Sequence, residues 1–138
     1  SGDLFNRSVR RVAQLKIATK FHFTGFLRGD DVQKMFLYSD VYVMPSVSEP
    51  FGISPLEAMR AGVPTIISKQ SGVAEVLKHS IKVDYWEVDA LADAIYGLLT
   101  YPALGKMAGE EGLDEVNQLK WENAALKVEE VYKDVLGV

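Results

Sequence analysis

Short apolar runs alternate with stretches of helical periodicity along most of the chain, and this alternation restricts the possible folds more than any other feature. The clearest apolar run, at residues 41–44, ends at Pro45. A continuous apolar run without polar alternation is typical of a strand that is covered on both faces. Strands that alternate regularly with helices predict a parallel sheet with right-handed crossovers. We therefore expect an α/β fold, a Rossmann-like parallel sheet with flanking helices.

The same patterns give expected bounds for the individual elements. Helices are predicted over residues 4–17, 31–38, 55–61, 73–78, 89–100, 103–116 and 121–136, and strands over residues 20–24, 41–44, 65–68 and 81–84. Asp3 is the expected N-cap of the first helix, and Gly62 is the expected left-handed residue after the third. Because the 138 residues contain no linker or low-complexity segment, we expect a single domain over residues 1–138.

Charge and composition restrict the class of partner. The net charge is −4, with fifteen Lys and Arg scattered among nineteen acids, so the sequence offers no basic surface for nucleic acid. The chain has no cysteine, which excludes disulfides and thiolate metal sites and fits a reducing compartment. It also has no apolar run as long as a membrane-spanning helix requires. We expect a cytoplasmic protein without an integral membrane segment.

The stretch EPFGISPLE, residues 49–57, follows one of the predicted strands. Ligands of open parallel sheets bind beyond the carboxyl ends of the strands, which here are followed by residues 25–27, 45–46, 68–70 and 84–85. Gly52 lacks a Cβ and allows close approach of the main chain, while the next helix start offers N–H groups that suit phosphate. Glu49 is suited to accept hydrogen bonds from sugar hydroxyls. The combination favours a ligand that is part phosphate and part polyol, such as a nucleotide-sugar.

Simpler interpretations of the same residues stay open. Ser54 and Glu57, with Pro55 at the first helical position, match a capping box, which explains Glu57 without any ligand. Glu49 is also compatible with a solvated loop acid. The two histidines, His22 and His79, have no second ligand at metal spacing, so we expect no metal site.

The run PSVSEPFGISPLEAMRAGVPTIIS, residues 45–68, resembles the two-glutamate motif of retaining GT-B glycosyltransferases of family 4, the group related to glycogen, starch and sucrose synthases. Three further segments resemble the donor-binding lobe of that family: VRRVAQLKIATKFHFTGFL, SGVAEVL and WENAALKVEEVYKDVL. The resemblance covers nearly the whole chain. It implies a nucleotide diphosphate sugar as donor, transfer with retention of anomeric configuration, and no obligatory metal or other cofactor.

The resemblance also implies roles for individual residues. Glu49 matches the glutamate that contacts the donor sugar and acts in catalysis, and Glu57 matches the one that holds the ribose hydroxyls. The other implied donor-binding residues are Phe51, Gly52, Ile53 and Ser54 in the motif, and Gly25, Phe26 and Leu27 near the base.

Enzymes of that family also have an acceptor lobe, and two strands open their donor lobe, whereas residues 1–3 resemble the loop after the second of these strands. We therefore expect a fragment that is inactive alone and that has the acceptor lobe of the full-length protein as a partner. Absence of two strands leaves unpaired sheet edges. We expect residues 20–24 to pair directly with residues 41–44; the alternative is a dimer formed through the exposed edges.

Two other functions remain compatible with the sequence. A GT-B nucleotide-sugar epimerase would release free nucleotide diphosphate and an epimerised sugar instead of a glycosylated acceptor. A non-catalytic α/β interaction domain would bind no nucleotide diphosphate at all.

Overall fold

The computed structural model describes residues 2–137, and for residues 121–124 it describes the main chain alone. The elements follow in the order α1 (Phe5–Gln14), α2 (Asp30–Leu37), β1 (Tyr42–Met44), α3 (Ser54–Arg60), β2 (Thr65–Ser68), β3 (Ile81–Val83), α4 (Val88–Thr100), α5 (Pro102–Gln118) and α6 (Trp121–Leu136), with 3₁₀ turns at Ala18–Lys20 and Gly72–Glu75. Residues up to Val32 form one compact unit, and residues from Gln33 onward form another.

The larger unit contains a parallel sheet in the order β1-β2-β3, with β2 in the centre. The register places Tyr42 beside Thr65 and Ile66 beside Ile81. Every residue of β2 is buried, as its apolar sequence requires of a central strand. The predicted α/β class with a parallel sheet is therefore confirmed.

Successive residues of β2 point to opposite faces of the sheet and supply both halves of the core. Ile67 packs in a cluster with Met59 of α3 and Leu77, and Ile66 packs in a second cluster with Leu98 of α4. Both isoleucines are almost completely buried, since Ile66 is 0% exposed and Ile67 is 1% exposed. Helices thus cover both faces of the sheet and leave the loops after its strands available for a site.

The predicted strand at residues 20–24 is wrong. Ala18–Lys20 is a 3₁₀ turn, and although Phe21 has extended dihedrals (φ −126°, ψ 123°), it belongs to no strand. The aromatic rings nearby pack on one another instead, with centroids 4.8 Å apart for Phe21 and Phe23 and 5.2 Å apart for Phe5 and Phe23. An extended segment becomes a strand only through a partner, and residues 20–24 pair with no other segment in the described part of the chain. The expected ladder to residues 41–44 is consequently wrong as well.

Several helix ends differ from their predicted positions. Leu4 is the N-cap of α1, without a side-chain capping bond, so Asp3 does not cap that helix. The helix predicted at residues 73–78 is only a 3₁₀ turn over Gly72–Glu75. Gly62 adopts the expected left-handed conformation after α3, with φ +76°. The observed bounds of α4, α5 and α6 lie within two residues of the predicted ones.

The outer edges of the sheet are formed by β1 and β3. Within residues 2–137, no other strand pairs with the outer edges of β1 and β3, and dimerisation through those edges stays a prediction. Among the same residues no helix combines the length and apolar character that crossing a bilayer requires.

Candidate functional site

The loop at residues 49–53, here called the Glu49 loop, lies in the connection between β1 and α3 and leads directly into α3. Glu49 is half-buried, and Gly52 has φ +84°, a conformation that side chains with a Cβ rarely adopt. A Cβ on Gly52 would lie 3.1 Å from Cγ of Glu49. In the described structure the main-chain N–H groups of Phe51, Gly52 and Ile53 donate to no protein acceptor. The loop therefore presents three N–H donors next to a carboxylate.

Main-chain hydrogen bonds hold this loop to residues 71–73, here called the Ser71 segment, which follows β2. Glu49 and Ser71 form a parallel bridge, and the N–H of Gly72 donates to the carbonyl of Glu49 at 2.9 Å. The N–H of Val73 donates to the carbonyl of Phe51 at 3.0 Å. The loops after β1 and β2 consequently form one hydrogen-bonded structure at the edge of the sheet.

The capping box that Ser54 and Glu57 could have formed is absent. Ile53 is the N-cap of α3, and no side chain makes a capping bond there. The hydroxyl of Ser54 instead lies 2.7 Å from the hydroxyl of Tyr42 on β1. The spacing of Ser54 and Glu57 suggested a capping box, but the serine hydroxyl is hydrogen-bonded to Tyr42, twelve positions earlier in the chain. Glu57 is exposed, and its carboxylate is available for a ligand.

The negative charges of both glutamates in the motif contribute to the pKa of one hydroxyl, that of Tyr42. Burial raises the pKa of Tyr42, and the negative charges of Glu57 and Glu49 raise it further, against the lowering effect of the hydrogen bond with Ser54. The placement of the two carboxylates on one rim of the sheet stays a prediction.

Sequence reasoning missed a polar cluster formed by Ser68, Lys69, Gln70 and Asp84, here called the Asp84 cluster. Asp84 follows β3, and its two carboxylate oxygens accept from Nζ of Lys69 and Nε2 of Gln70, each at 2.7 Å. Residues 68–70 lie at the end of β2, and residues 84–85 follow β3. Both segments were expected at the end of the sheet where ligands bind. The sequence does not indicate their pairing, because fifteen and fourteen positions separate the partners.

The Asp84 carboxyl provides a pH-dependent prediction. Its pKa lies below the ordinary value because Lys69, and then Gln70, donates a hydrogen bond to it. A lowered pKa stabilises the fold above the ordinary value of about 3.9, and this contribution disappears as the pH falls through the lowered pKa. Replacing Lys69 with methionine should therefore raise the pKa of Asp84 towards its ordinary value, so that the stabilising contribution becomes smaller and is completely lost at a higher pH.

A carbon-13 NMR titration of the aspartate carboxyls measures this change, and the Asp84→Asn variant assigns the signal. Lys106→Met is the matched control, since Lys106 pairs with Glu110 on the surface of α5. An Asp84 pKa that is the same in the wild type and in Lys69→Met would contradict the prediction.

The expected base-contacting residues belong to the smaller unit. Gly25 has φ +70°, Phe26 is 81% exposed, and Leu27 is half-buried. The guanidinium of Arg28 lies 5.1 Å from the centroid of the Phe26 ring. A role for residues 25–27 in contacting the base stays a prediction.

One known protein family and several known relatives match this chain in sequence. The family described as Glycosyl transferases group 1 matches residues 1–114. An uncharacterised glycosyltransferase of Methanocaldococcus jannaschii is 34% identical over 144 residues, covering 96% of this chain and 35% of the relative. The matched region includes both glutamates and the loop between them.

Solved structures share the fold. Sucrose-phosphate synthase from Thermosynechococcus elongatus matches with a TM-score of 0.79 and 29% identity, over 96% of this chain and 34% of the synthase. HepE of Anabaena in complex with UDP-glucose matches with a TM-score of 0.82 and 19% identity, over 96% of this chain and 37% of HepE. The chain spans about a third of the length of these relatives.

Proposed function

This chain belongs to the group 1 glycosyltransferase family, and we propose that it forms the donor-binding part of an enzyme that transfers a sugar from a nucleotide diphosphate sugar to an acceptor. The transfer retains anomeric configuration and needs no obligatory metal ion. HepE, which has this fold, binds UDP-glucose, and this supports a nucleotide-sugar as the ligand class. The family is one of transferases, which favours transfer over epimerisation and over a non-catalytic role.

The Glu49 loop carries this proposal, because it combines three N–H donors with the carboxylate of Glu49. The N–H groups of Phe51, Gly52 and Ile53 donate to diphosphate oxygens, for which main-chain donors are well suited. Such preorganised donors also stabilise the charge on the leaving diphosphate. Ser54 lies at the start of α3 beside them and completes the donor-binding surface.

The two carboxylates have different roles. Glu57 accepts hydrogen bonds from the ribose hydroxyls, and its exposure leaves it accessible to them. Glu49 is half-buried and packs against Gly52, and it contacts the donor sugar and stabilises positive charge there during transfer. Residues 25–27 contact the base.

Transfer also requires an acceptor and exclusion of water from the reacting sugar. We assign both tasks to an acceptor lobe in the full-length protein. The isolated chain is then inactive as a transferase, whereas the full-length protein converts a nucleotide-sugar into nucleotide diphosphate and a glycosylated acceptor. Proton NMR of the product with UDP-, GDP- and ADP-sugars tests the reaction, its donor and its stereochemistry. A free epimerised sugar, or no binding of any nucleotide diphosphate, would overturn the proposal.

Replacing Glu57 with alanine in the full-length protein is expected to weaken nucleotide binding. Hydrogen bonds to a charged acceptor contribute roughly 1.5–3 kcal/mol, equivalent to about 10- to 150-fold in Kd. Calorimetric titration with nucleotide diphosphate measures the change. Glu110→Ala, which removes an exposed glutamate from α5, is the matched control. Unchanged nucleotide affinity, accompanied only by a lower melting temperature, would assign Glu57 a structural role.

A further inference from the structure

The Asp84 cluster connects the end of β3 to the loop after β2. The Asp84 carboxylate accepts from Gln70 Nε2 through Oδ1 and from Lys69 Nζ through Oδ2. The main-chain N–H of Lys69 also donates to the carbonyl of Val83 at 3.0 Å. Asp84, which follows β3, thus binds the side chains of two successive residues in the loop that follows β2.

The side chain of Gln70 has a fixed orientation within this cluster. Its Nε2 must face Asp84, because an ionised carboxylate only accepts hydrogen bonds. Its Oε1 accepts from the hydroxyl of Ser68 at 2.8 Å, and the main-chain N–H of Gln70 donates to the same hydroxyl at 3.1 Å. Ser68 is 1% exposed and belongs to the core strand β2. Gln70 is consequently anchored to the sheet at one end and to Asp84 at the other.

The Ser71 segment begins directly after Gln70 in the chain. The hydroxyl of Ser71 donates to the carbonyl of Ser68 at 2.7 Å, and its main-chain N–H donates to the same carbonyl at 3.1 Å. The segment then hydrogen-bonds to the Glu49 loop through the N–H groups of Gly72 and Val73. A continuous set of covalent and hydrogen bonds therefore runs from Asp84 to Glu49.

We propose that Gln70 and Asp84 are positioning residues that hold the Ser71 segment, and through it the Glu49 loop, in the geometry that sugar transfer requires. The effect on turnover rests on the proposed function, whereas the effect on the loop does not. The ion pair of Lys69 is a minor part of this device, since exposed pairs contribute little. The side chain of Lys69 is 50% exposed, and it makes no contact with Ser68 or with the Ser71 segment among the described hydrogen bonds.

Gln70→Glu in the full-length protein tests this role with almost no change in shape. It replaces the donating amide with a second carboxylate facing Asp84, and the two like charges repel. The amide protons of Gly72 and Val73 should exchange with solvent about tenfold faster, as expected for local opening. The kcat of transfer should fall roughly tenfold or more, because small displacements of reacting groups slow catalysis strongly.

A double variant provides the rescue. In Gln70→Glu with Asp84→Asn, the asparagine amide donates to the new glutamate, so the hydrogen bond is restored in the opposite direction. Exchange at Gly72 and Val73 and kcat should both return towards the wild-type values. Lys106→Met is the control, because Lys106 pairs with Glu110 on the surface of α5, and it should leave both measurements unchanged.

Amides of β2, such as those of Ile66 and Ile67, report whether the sheet remains folded. If Gln70→Glu exposes them as well, Gln70→Ala replaces it, because it removes the amide without adding charge. Unchanged exchange at Gly72 and Val73 would overturn the inference, and so would faster exchange with unaltered kcat. A wild-type protein that converts no nucleotide-sugar would refute the proposed function instead, and the exchange rates would still decide whether the cluster holds the loop.

Discussion

Replacing Gly72 with alanine is expected to lower the free energy of unfolding by roughly 2–4 kcal/mol and to reduce turnover with it. A Cβ at this position would lie 1.9 Å from the carbonyl oxygen of Pro50 and 2.9 Å from its carbonyl carbon. Both atoms belong to the main chain, so no side-chain rotation relieves the clash. The Glu49 loop and the Ser71 segment must separate, and the hydrogen bonds from Gly72 and Val73 weaken as they do.

Gly97→Ala is the matched control for this substitution. Gly97 lies inside α4, where the nearest atom to an added Cβ is Cδ2 of Leu104 at 4.0 Å. Alanine is favoured over glycine in a helix by about 1 kcal/mol, so this variant should be as stable as the wild type or more stable. Urea unfolding and kcat of the full-length proteins provide the comparison. Similar stability and turnover in the two variants would show that the contact between the loops is unimportant.

The sequence predicted the larger unit well because its elements are specified by local patterns. A strand was predicted at residues 65–68 (TIIS), and the structure has a strand there, in the centre of the sheet. Helical periodicity likewise located α4, α5 and α6. The strand expected at residues 20–24 failed because alternation of side chains specifies an extended backbone but not a neighbour to pair with. Its aromatic residues packed on each other instead.

At the site, sequence spacing identified the motif but not the contacts within it. Ser54 and Glu57 had the spacing of a capping box, yet Tyr42 takes the serine hydroxyl. The pairing of Gln70 with Asp84 depends on β2 and β3 lying side by side, which no local pattern encodes. Gly52 is the contrasting case, because its lack of a Cβ could be used directly from the sequence, and the same lack lets it adopt φ +84° in the structure.

Replacing Glu49 with glutamine should lower kcat by on the order of 10²–10³-fold while leaving the Kd for nucleotide diphosphate unchanged. The substitution keeps the shape of the side chain and removes the negative charge. In the proposed role that charge stabilises positive charge on the donor sugar, which develops only during transfer. The free nucleotide diphosphate contains no such sugar, so its affinity should not depend on Glu49.

Turnover is measured with saturating nucleotide-sugar, and affinity is measured by calorimetry with the nucleotide diphosphate alone. Glu110→Gln is the matched control, because it neutralises an exposed glutamate of α5. Equal losses in kcat and in nucleotide affinity would place Glu49 away from the sugar. The comparison with Glu57→Ala is the most discriminating, since Glu57→Ala should weaken nucleotide binding whereas Glu49→Gln should slow the reaction. General destabilisation of the loop would change both quantities in both variants, so opposite responses require that the two carboxylates contact different parts of one ligand.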